Sequence, residues 1–173
     1  MAFEDLLLRG AAWASLLAWA ASELLRTAAH RPAGERGVAA RAAFTVGGVG
    51  LFVHSALAFH VRHGWSQAVA LEDTLRQTMA VTGLSFGGGL FVNYVFLLLW
   101  AAEIAWWWAA PTGYLGRSAL LDRSLRGFFL FMFVNGAVVF VAGPLRWVGL
   151  AVTLAVLGAW YRGARGAGEG EHG

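Results

Sequence analysis

Long apolar stretches alternate with short polar segments along this chain, and each stretch is about as long as a helix that crosses a bilayer. Such a helix needs about twenty mostly apolar residues. The pattern predicts spans at 6–28, 39–61 and 86–110, the last ending before Pro111. The apolar stretch 127–161 is too long for one helix, and Gly143 with Pro144 forms a turn signal inside it. We therefore divide it into 127–142 and 145–161. The alternative is one kinked helix.

This pattern predicts an all-α, polytopic membrane bundle of five transmembrane helices, or four if the last stretch is one helix. The composition agrees, with 58% hydrophobic and 13% charged residues and a mean hydropathy of +0.60. Soluble domains are about 25% charged. We expect one transmembrane domain over 1–161 and a flexible, Gly-rich cytoplasmic tail over 162–173.

The absence of Cys and of Lys limits which kinds of site this chain can form. The chain has no Cys, which excludes disulfides, thiolate metal sites, iron–sulfur clusters and cysteine nucleophiles. All thirteen basic residues are Arg, and Ala and Gly are abundant, which is typical of a GC-rich bacterial genome. We therefore expect a location in a bacterial inner membrane. No basic cluster is dense enough to indicate nucleic acid as a partner.

Arginine placement predicts the orientation. With five spans, nine Arg lie on the side of the first loop, third loop and tail, and four lie on the other side. The Arg-rich side is expected to be cytoplasmic, which places the N-terminus outside and the C-terminus inside. Aromatic residues at the cytoplasmic ends of the third and fifth spans are expected to be interface anchors. They are Trp106, Trp107, Trp108, Trp160 and Tyr161.

The loop 62–85 on the outer side contains the pattern of a short amphipathic helix. Ser66 can cap its N-terminus, and Glu72 and Arg76 are spaced to pair at i,i+4 on its polar side. The apolar side consists of Ala68, Leu71, Leu75 and Met79. This helix either lies on the outer membrane surface or is an ordinary solvated linker helix.

Four hydrogen-bonding residues fall at one depth, about 10 Å below the outer surface at 1.5 Å per residue. They are His54, Asn93 with its neighbour Tyr94, and Asn135; Thr153 on the fifth span lies at a similar level. One interpretation is polar contacts that join helices within the bundle. The other is an outward-facing ligand-binding cavity that contains histidine.

The remaining histidines suggest a metal or haem cofactor. His60 and His63 share a helix face at the outer rim, and with Glu72 or Asp73 they form a plausible ligand set for zinc or iron. The alternative is solvated rim histidines. Spans three to five contain no His, which argues against bis-histidine haem within this chain. A haem with one His ligand, or one shared with another subunit, stays open.

Glu103 is a charged residue within the third predicted span. A carboxylate at this depth is a candidate proton or cation relay. The alternative is a structural ion pair with Arg41 or Arg117. The sequence contains no catalytic motif that we can identify.

Two functions follow from these features. The first is a small integral membrane protein that acts as a subunit or accessory component of a larger membrane complex. The alternative is a membrane redox or binding protein that holds a metal, haem or quinone-like ligand in the histidine-containing cavity. A transporter is less well supported, because pathway charges are few and no repeat is present.

Overall fold

The computed structural model describes residues 2–28 and 34–169, and this part of the chain is helical throughout, apart from short connections. Seven α-helices follow one another: α1 Ala2–Ala28, α2 Glu35–Val61, α3 Gln67–Thr82, α4 Gly89–Ala109, α5 Pro111–Leu115, α6 Ala119–Val134 and α7 Leu145–Glu169. A π-helical turn, Asn135–Val139, extends α6. The prediction of an all-α bundle is confirmed.

The long helices α1, α2, α4, α6 and α7 alternate in direction. Ser15 of α1 donates to the carbonyl of Gly47 on α2 at 2.7 Å, and farther along the same pair Leu8 contacts His54, so the two helices are antiparallel. Phe96 of α4 packs on Phe133 of α6 in the same antiparallel sense. The bundle therefore has two ends, which we call the charged end and the histidine end.

The charged end holds the C-termini of α1, α4 and α7, together with α5 and the N-termini of α2 and α6. The histidine end holds α3 and the opposite helix termini. Because α3 lies beside the first turns of α4, it belongs to the histidine end, where Tyr94 of α4 donates to Gln67 of α3 at 2.7 Å.

Three helices in the described part of the chain are long and apolar enough to cross a membrane: α2, α4 and α7 over Leu145–Arg165. This is consistent with a membrane protein. The helix α1 has 27 residues but includes Glu23 and Arg26, and α6 has 16 residues before the π-helical turn. The number five is therefore not established by length and composition.

The predicted helix breaks agree with the structure. The π-helical turn and α7 are separate, and Gly143 between them has a φ of +81°, a left-handed conformation that favours glycine. Ser66 caps α3 by accepting a hydrogen bond from the Val69 amide. Within α3, however, Arg76 pairs with Asp73 rather than with Glu72, which corrects the predicted i,i+4 pair. The helix α7 continues to Glu169, so the first part of the expected tail is helical, and 170–173 lie outside the described residues.

Aromatic side chains fill the centre of the bundle. Trp100 is fully buried and contacts Phe44, Phe96 and Phe129 with ring centroids 5.1–5.5 Å apart. Its indole N–H donates to the Phe44 carbonyl at 3.1 Å, which satisfies the buried donor. Trp107, predicted to be an interface anchor, is instead buried in this core.

Candidate functional site

Six charged side chains meet inside the charged end and form what we call the ionic cluster. Its members are Glu23, Arg26, Glu103, Arg117, Asp122 and Arg126. They come from α1, α4, the segment after α5, and α6. Three positive charges face three negative charges, so the cluster is electrically balanced within itself.

Glu23 is the deepest carboxylate of the ionic cluster, with 1% of its surface exposed. Its Oε2 lies 2.6 Å from a terminal nitrogen of Arg126, and its Oε1 lies 3.2 Å from Arg26. The indole N–H of Trp160 on α7 also donates to Oε2, at 2.9 Å. One carboxylate therefore joins α1, α6 and α7, and its desolvation is offset by charge-assisted hydrogen bonds.

Glu103 of α4, the candidate proton relay, is also bound by an arginine and an aromatic hydrogen-bond donor. Its Oε2 lies 2.5 Å from Arg117, whose side chain is 3% exposed, and accepts a hydrogen bond from the Tyr114 hydroxyl at 2.9 Å. The structural alternative predicted for Glu103, a pair with Arg117, is thus present. Its role as a proton relay stays a prediction.

Asp122 links the two halves of the ionic cluster. Its Oδ1 lies 3.0 Å from Arg26 and 2.7 Å from Arg117, and its Oδ2 lies 3.4 Å from Arg126. Charge-assisted hydrogen bonds from these arginines offset the desolvation of the carboxylate. Asp122 therefore holds three guanidinium groups near one point.

Aromatic rings enclose the ionic cluster. Tyr114 stacks on Trp107 with centroids 4.7 Å apart, and the Arg117 guanidinium lies 4.2 Å from the Tyr114 ring. Arg126 lies 4.5 Å from the Trp160 ring. Burial raises the pKa of the Tyr114 hydroxyl, which keeps it a hydrogen-bond donor. The cavity between these groups measures about 10 Å³, which is about the space of one water molecule.

These contacts make the ionic cluster a connection between helices. Each carboxylate contacts at least one arginine, and the space between the side chains is about that of one water molecule. Breaking such a pair leaves an uncompensated buried charge, so the arrangement favours one packing of the helices.

Glu23 was missed by the sequence analysis. Arg26 was expected among the cytoplasmic-side arginines, yet its side chain is 14% exposed and engaged in the ionic cluster. The available signal was an acid and an arginine three residues apart inside an apolar stretch, a spacing that places both on one helix face. Their distant partners on α6 and α7 follow from tertiary packing, which no local spacing encodes.

The predicted layer of four polar residues makes separate contacts. The ring Nδ1 of His54 lies 2.9 Å from the Leu8 carbonyl of α1, and Tyr94 contacts Gln67. Asn135 donates to the Phe131 carbonyl one turn earlier in its own helix, and Asn93 is exposed. Among the described residues, no hydrogen bond joins any two of the four. Their function in ligand binding stays a prediction.

The predicted metal ligands are not assembled into a site. His60 accepts a hydrogen bond from the Trp65 indole. The Nδ1 atom of His63 lies 3.3 Å from the Asp73 carboxylate, but the two do not form a hydrogen bond. Asp73 is engaged by Arg76, and Glu72 is exposed. Burial and the charge of Arg62 lower the pKa of His63. No group of three His, Cys, Asp or Glu in 2–28 and 34–169 could hold a metal ion.

An apolar groove of about 300 Å³ runs between α3 and α4 at the histidine end. It is lined by Gln67, Ala68, Leu71, Leu90, Phe91 and Tyr94. Of the four residues predicted to line a cavity, Tyr94 is the member that contributes to this groove. His54 contacts α1 instead.

Comparisons with known proteins add no relative. A scan against known protein families, a search of curated proteins and a search of solved structures each find no match for this chain.

Proposed function

We propose that this chain is an integral membrane protein of five membrane-crossing helices that acts as a subunit or accessory component of a larger membrane complex. In this proposal the charged end faces the cytoplasm of a bacterium and the N-terminus lies outside. The helices α1 and α6 cross the membrane because they pack between α2, α4 and α7 and satisfy their charges within the ionic cluster.

The distribution of charge supports this orientation. Outside the ionic cluster, the described side chains of the charged end include five arginines and Glu35; the arginines are Arg36, Arg41, Arg123, Arg162 and Arg165. At the histidine end four arginines and four acids are in balance. An excess of arginine marks the cytoplasmic side of membrane proteins.

The first prediction concerns the number of spans. Because the chain has no Cys, single substitutions give unique labelling sites. Ser124→Cys and Ala164→Cys, both at exposed positions of the charged end, are expected to react with a membrane-impermeant maleimide only after cells are opened. Gln77→Cys on α3 is expected to react in intact cells. If position 164 also reacts in intact cells, the four-span alternative is correct and the five-span proposal fails.

The observation that carries the subunit proposal is the uncovered apolar surface of α3. Ala70 is the one buried residue of this helix, whereas Leu71 and Met79 on the predicted apolar side are 39% and 54% exposed. The following residues Leu84 and Phe86 are also exposed. Exposed apolar side chains on one side of a short helix beside the spans are typical of a contact with another protein or with the membrane surface.

The second prediction tests this contact. Met79→Glu places a charge on the apolar side of α3 at a side chain that is 54% exposed, so the fold is expected to persist. We expect wild type to co-purify in mild detergent with a partner at fixed stoichiometry, and Met79→Glu to reduce the recovered partner at least tenfold. The measurement is quantitative mass spectrometry of the purified complex.

Gln77→Glu is the matched control, because it adds the same charge to the opposite side of the same helix. It is expected to retain the partner. Equal loss from both variants would indicate a general effect of charge, and a wild-type protein that purifies without any stoichiometric partner would contradict the subunit proposal.

The groove between α3 and α4 supports the alternative of a ligand-binding protein. Its volume is near the lower end of small-molecule sites, and the pair formed by Tyr94 and Gln67 supplies polar groups at its wall. A quinone-like ligand would place its apolar part against Leu71 and Leu90. The absorption spectrum and lipid extract of the same purified protein decide between the two functions, since a stoichiometric chromophore would favour the ligand.

A further inference from the structure

Arg41 of α2 lies at the charged end but outside the ionic cluster. Its Nη1 donates to the Trp107 carbonyl at 3.4 Å, near the limit for a hydrogen bond. Its Nε is buried and makes no hydrogen bond to the described residues. None of the carboxylates described in 2–28 and 34–169 forms an ion pair with Arg41, whereas the three arginines of the ionic cluster are all paired.

The guanidinium of Arg41 is nevertheless held in a fixed place. It lies 4.0 Å from the ring centroid of Trp108, which is a cation–π contact. Thr45, one turn along α2, accepts a hydrogen bond from the Trp108 indole at 2.9 Å and donates to the Arg41 carbonyl at 2.9 Å. The ring and the guanidinium are therefore positioned together by α2 and α4.

The depth of this pair matches the membrane interface. Arg41 lies about 9 Å along α2 from its first residue at 1.5 Å per residue, and Trp108 is the next-to-last residue of α4 and 51% exposed. Interfacial tryptophans lie at the level of lipid headgroups. Phosphate is the ligand that a planar guanidinium binds best, through two parallel hydrogen bonds.

We propose that Arg41 and Trp108 form a binding site for the phosphate group of an anionic phospholipid. The terminal nitrogens of Arg41 provide donors beyond the one used by the Trp107 carbonyl. The excess of arginine at this end attracts an anionic headgroup electrostatically. Anionic lipid is the source because the exposed face of Trp108 can cover an acyl chain, which free phosphate lacks.

The experiment is native mass spectrometry of the full-length protein in detergent with equal amounts of phosphatidylglycerol and phosphatidylcholine. We expect wild type to retain phosphatidylglycerol preferentially. Arg41→Gln is expected to weaken phosphatidylglycerol binding about tenfold, the effect of one charge-assisted contact. Arg123→Gln, which removes the same charge from an exposed position at the same end, is expected to bind as wild type does.

Two further measurements test the same site. If Arg41→Gln fails to fold, Trp108→Leu keeps the charge but removes the ring that positions it, and it is expected to lose the same preference. Inorganic phosphate is added as a competitor; efficient displacement of the lipid by phosphate would overturn the lipid assignment. Equal losses from Arg41→Gln and Arg123→Gln, or none from Arg41→Gln, would overturn the site itself.

A role of Arg41 confined to capping the carbonyls of α4 would change stability and leave lipid preference unchanged. The site requires the protein to lie in a bilayer but not the presence of a partner subunit. Retention of the partner by Arg41→Gln, together with loss of phosphatidylglycerol preference, therefore separates this inference from the proposed function.

Discussion

Replacing Glu23 with alanine is expected to lower the free energy of unfolding by about 3–5 kcal/mol, the effect of removing one member of a buried ion pair. The substitution leaves the Arg126 guanidinium and the Trp160 indole without their shared acceptor inside the charged end. The contacts of the Glu23 carboxylate with α6 and α7 are lost together, while the pair between Arg26 and Asp122 still joins α1 to α6. The measurement is equilibrium unfolding in detergent, followed by loss of helicity or of tryptophan burial.

The matched control is Asp5→Asn on the same helix. Asp5 pairs with Arg62 at 2.5 Å, but both side chains are more than one-third exposed, so we expect a change of at most about 1 kcal/mol. The double variant Glu23→Ala with Arg126→Leu is expected to be less destabilised than the sum of the single variants, because it removes the unpaired charge. Equal effects of Glu23→Ala and Asp5→Asn would show that the ionic cluster contributes little to stability.

The second large effect is expected at Gly149 of α7. A Cβ added there would overlap the Ala137 carbonyl oxygen in the π-helical turn and lie 2.9 Å from its carbon. Because these are backbone atoms, the two segments must separate, and we expect Gly149→Ala to destabilise the protein by about 3 kcal/mol, the upper part of the range for overpacking. Thermal unfolding of the purified protein measures the change.

Gly158 on the same helix provides the control, since nothing lies within 4 Å of an added Cβ there. Gly158→Ala is expected to leave stability unchanged or to raise it by up to about 1 kcal/mol, because alanine favours helix. Similar melting temperatures for the two variants would contradict the close contact between α7 and the π-helical turn.

The helices themselves were largely predictable because their signals are local. The apolar stretches gave the positions of α2, α4 and α7, and Gly143 with Pro144 marked the end of the helical segment before α7. Ser66 identified the start of α3 by its capping chemistry. Whether α1 and α6 span the membrane was harder to predict, because charges interrupt the apolar stretch of α1 and the helix α6 is short.

The polar interior was much less predictable. The sequence offered Arg41 and Arg117 as partners for Glu103, and the structure pairs Glu103 with Arg117, which follows it across one short connection. Arg26 lies three residues from Glu23, but its other partners lie 103 and 137 residues away along the chain, and no periodicity points to them. Predicted depth was also a weak guide, since His54 and Asn135, which were expected in one layer, hydrogen-bond to different backbone carbonyls.

The long separation between Glu23 and its distant partners has a consequence for biosynthesis. When Glu23 is added to the growing chain, Arg126 is still 103 residues from being made, a delay of roughly 5 to 20 seconds at about 5–20 residues per second. During that interval the carboxylate has Arg26 one turn away but lacks the donors of Arg126 and Trp160. The helix α1 is therefore expected to reach its final packing only after α6 and α7 have been made.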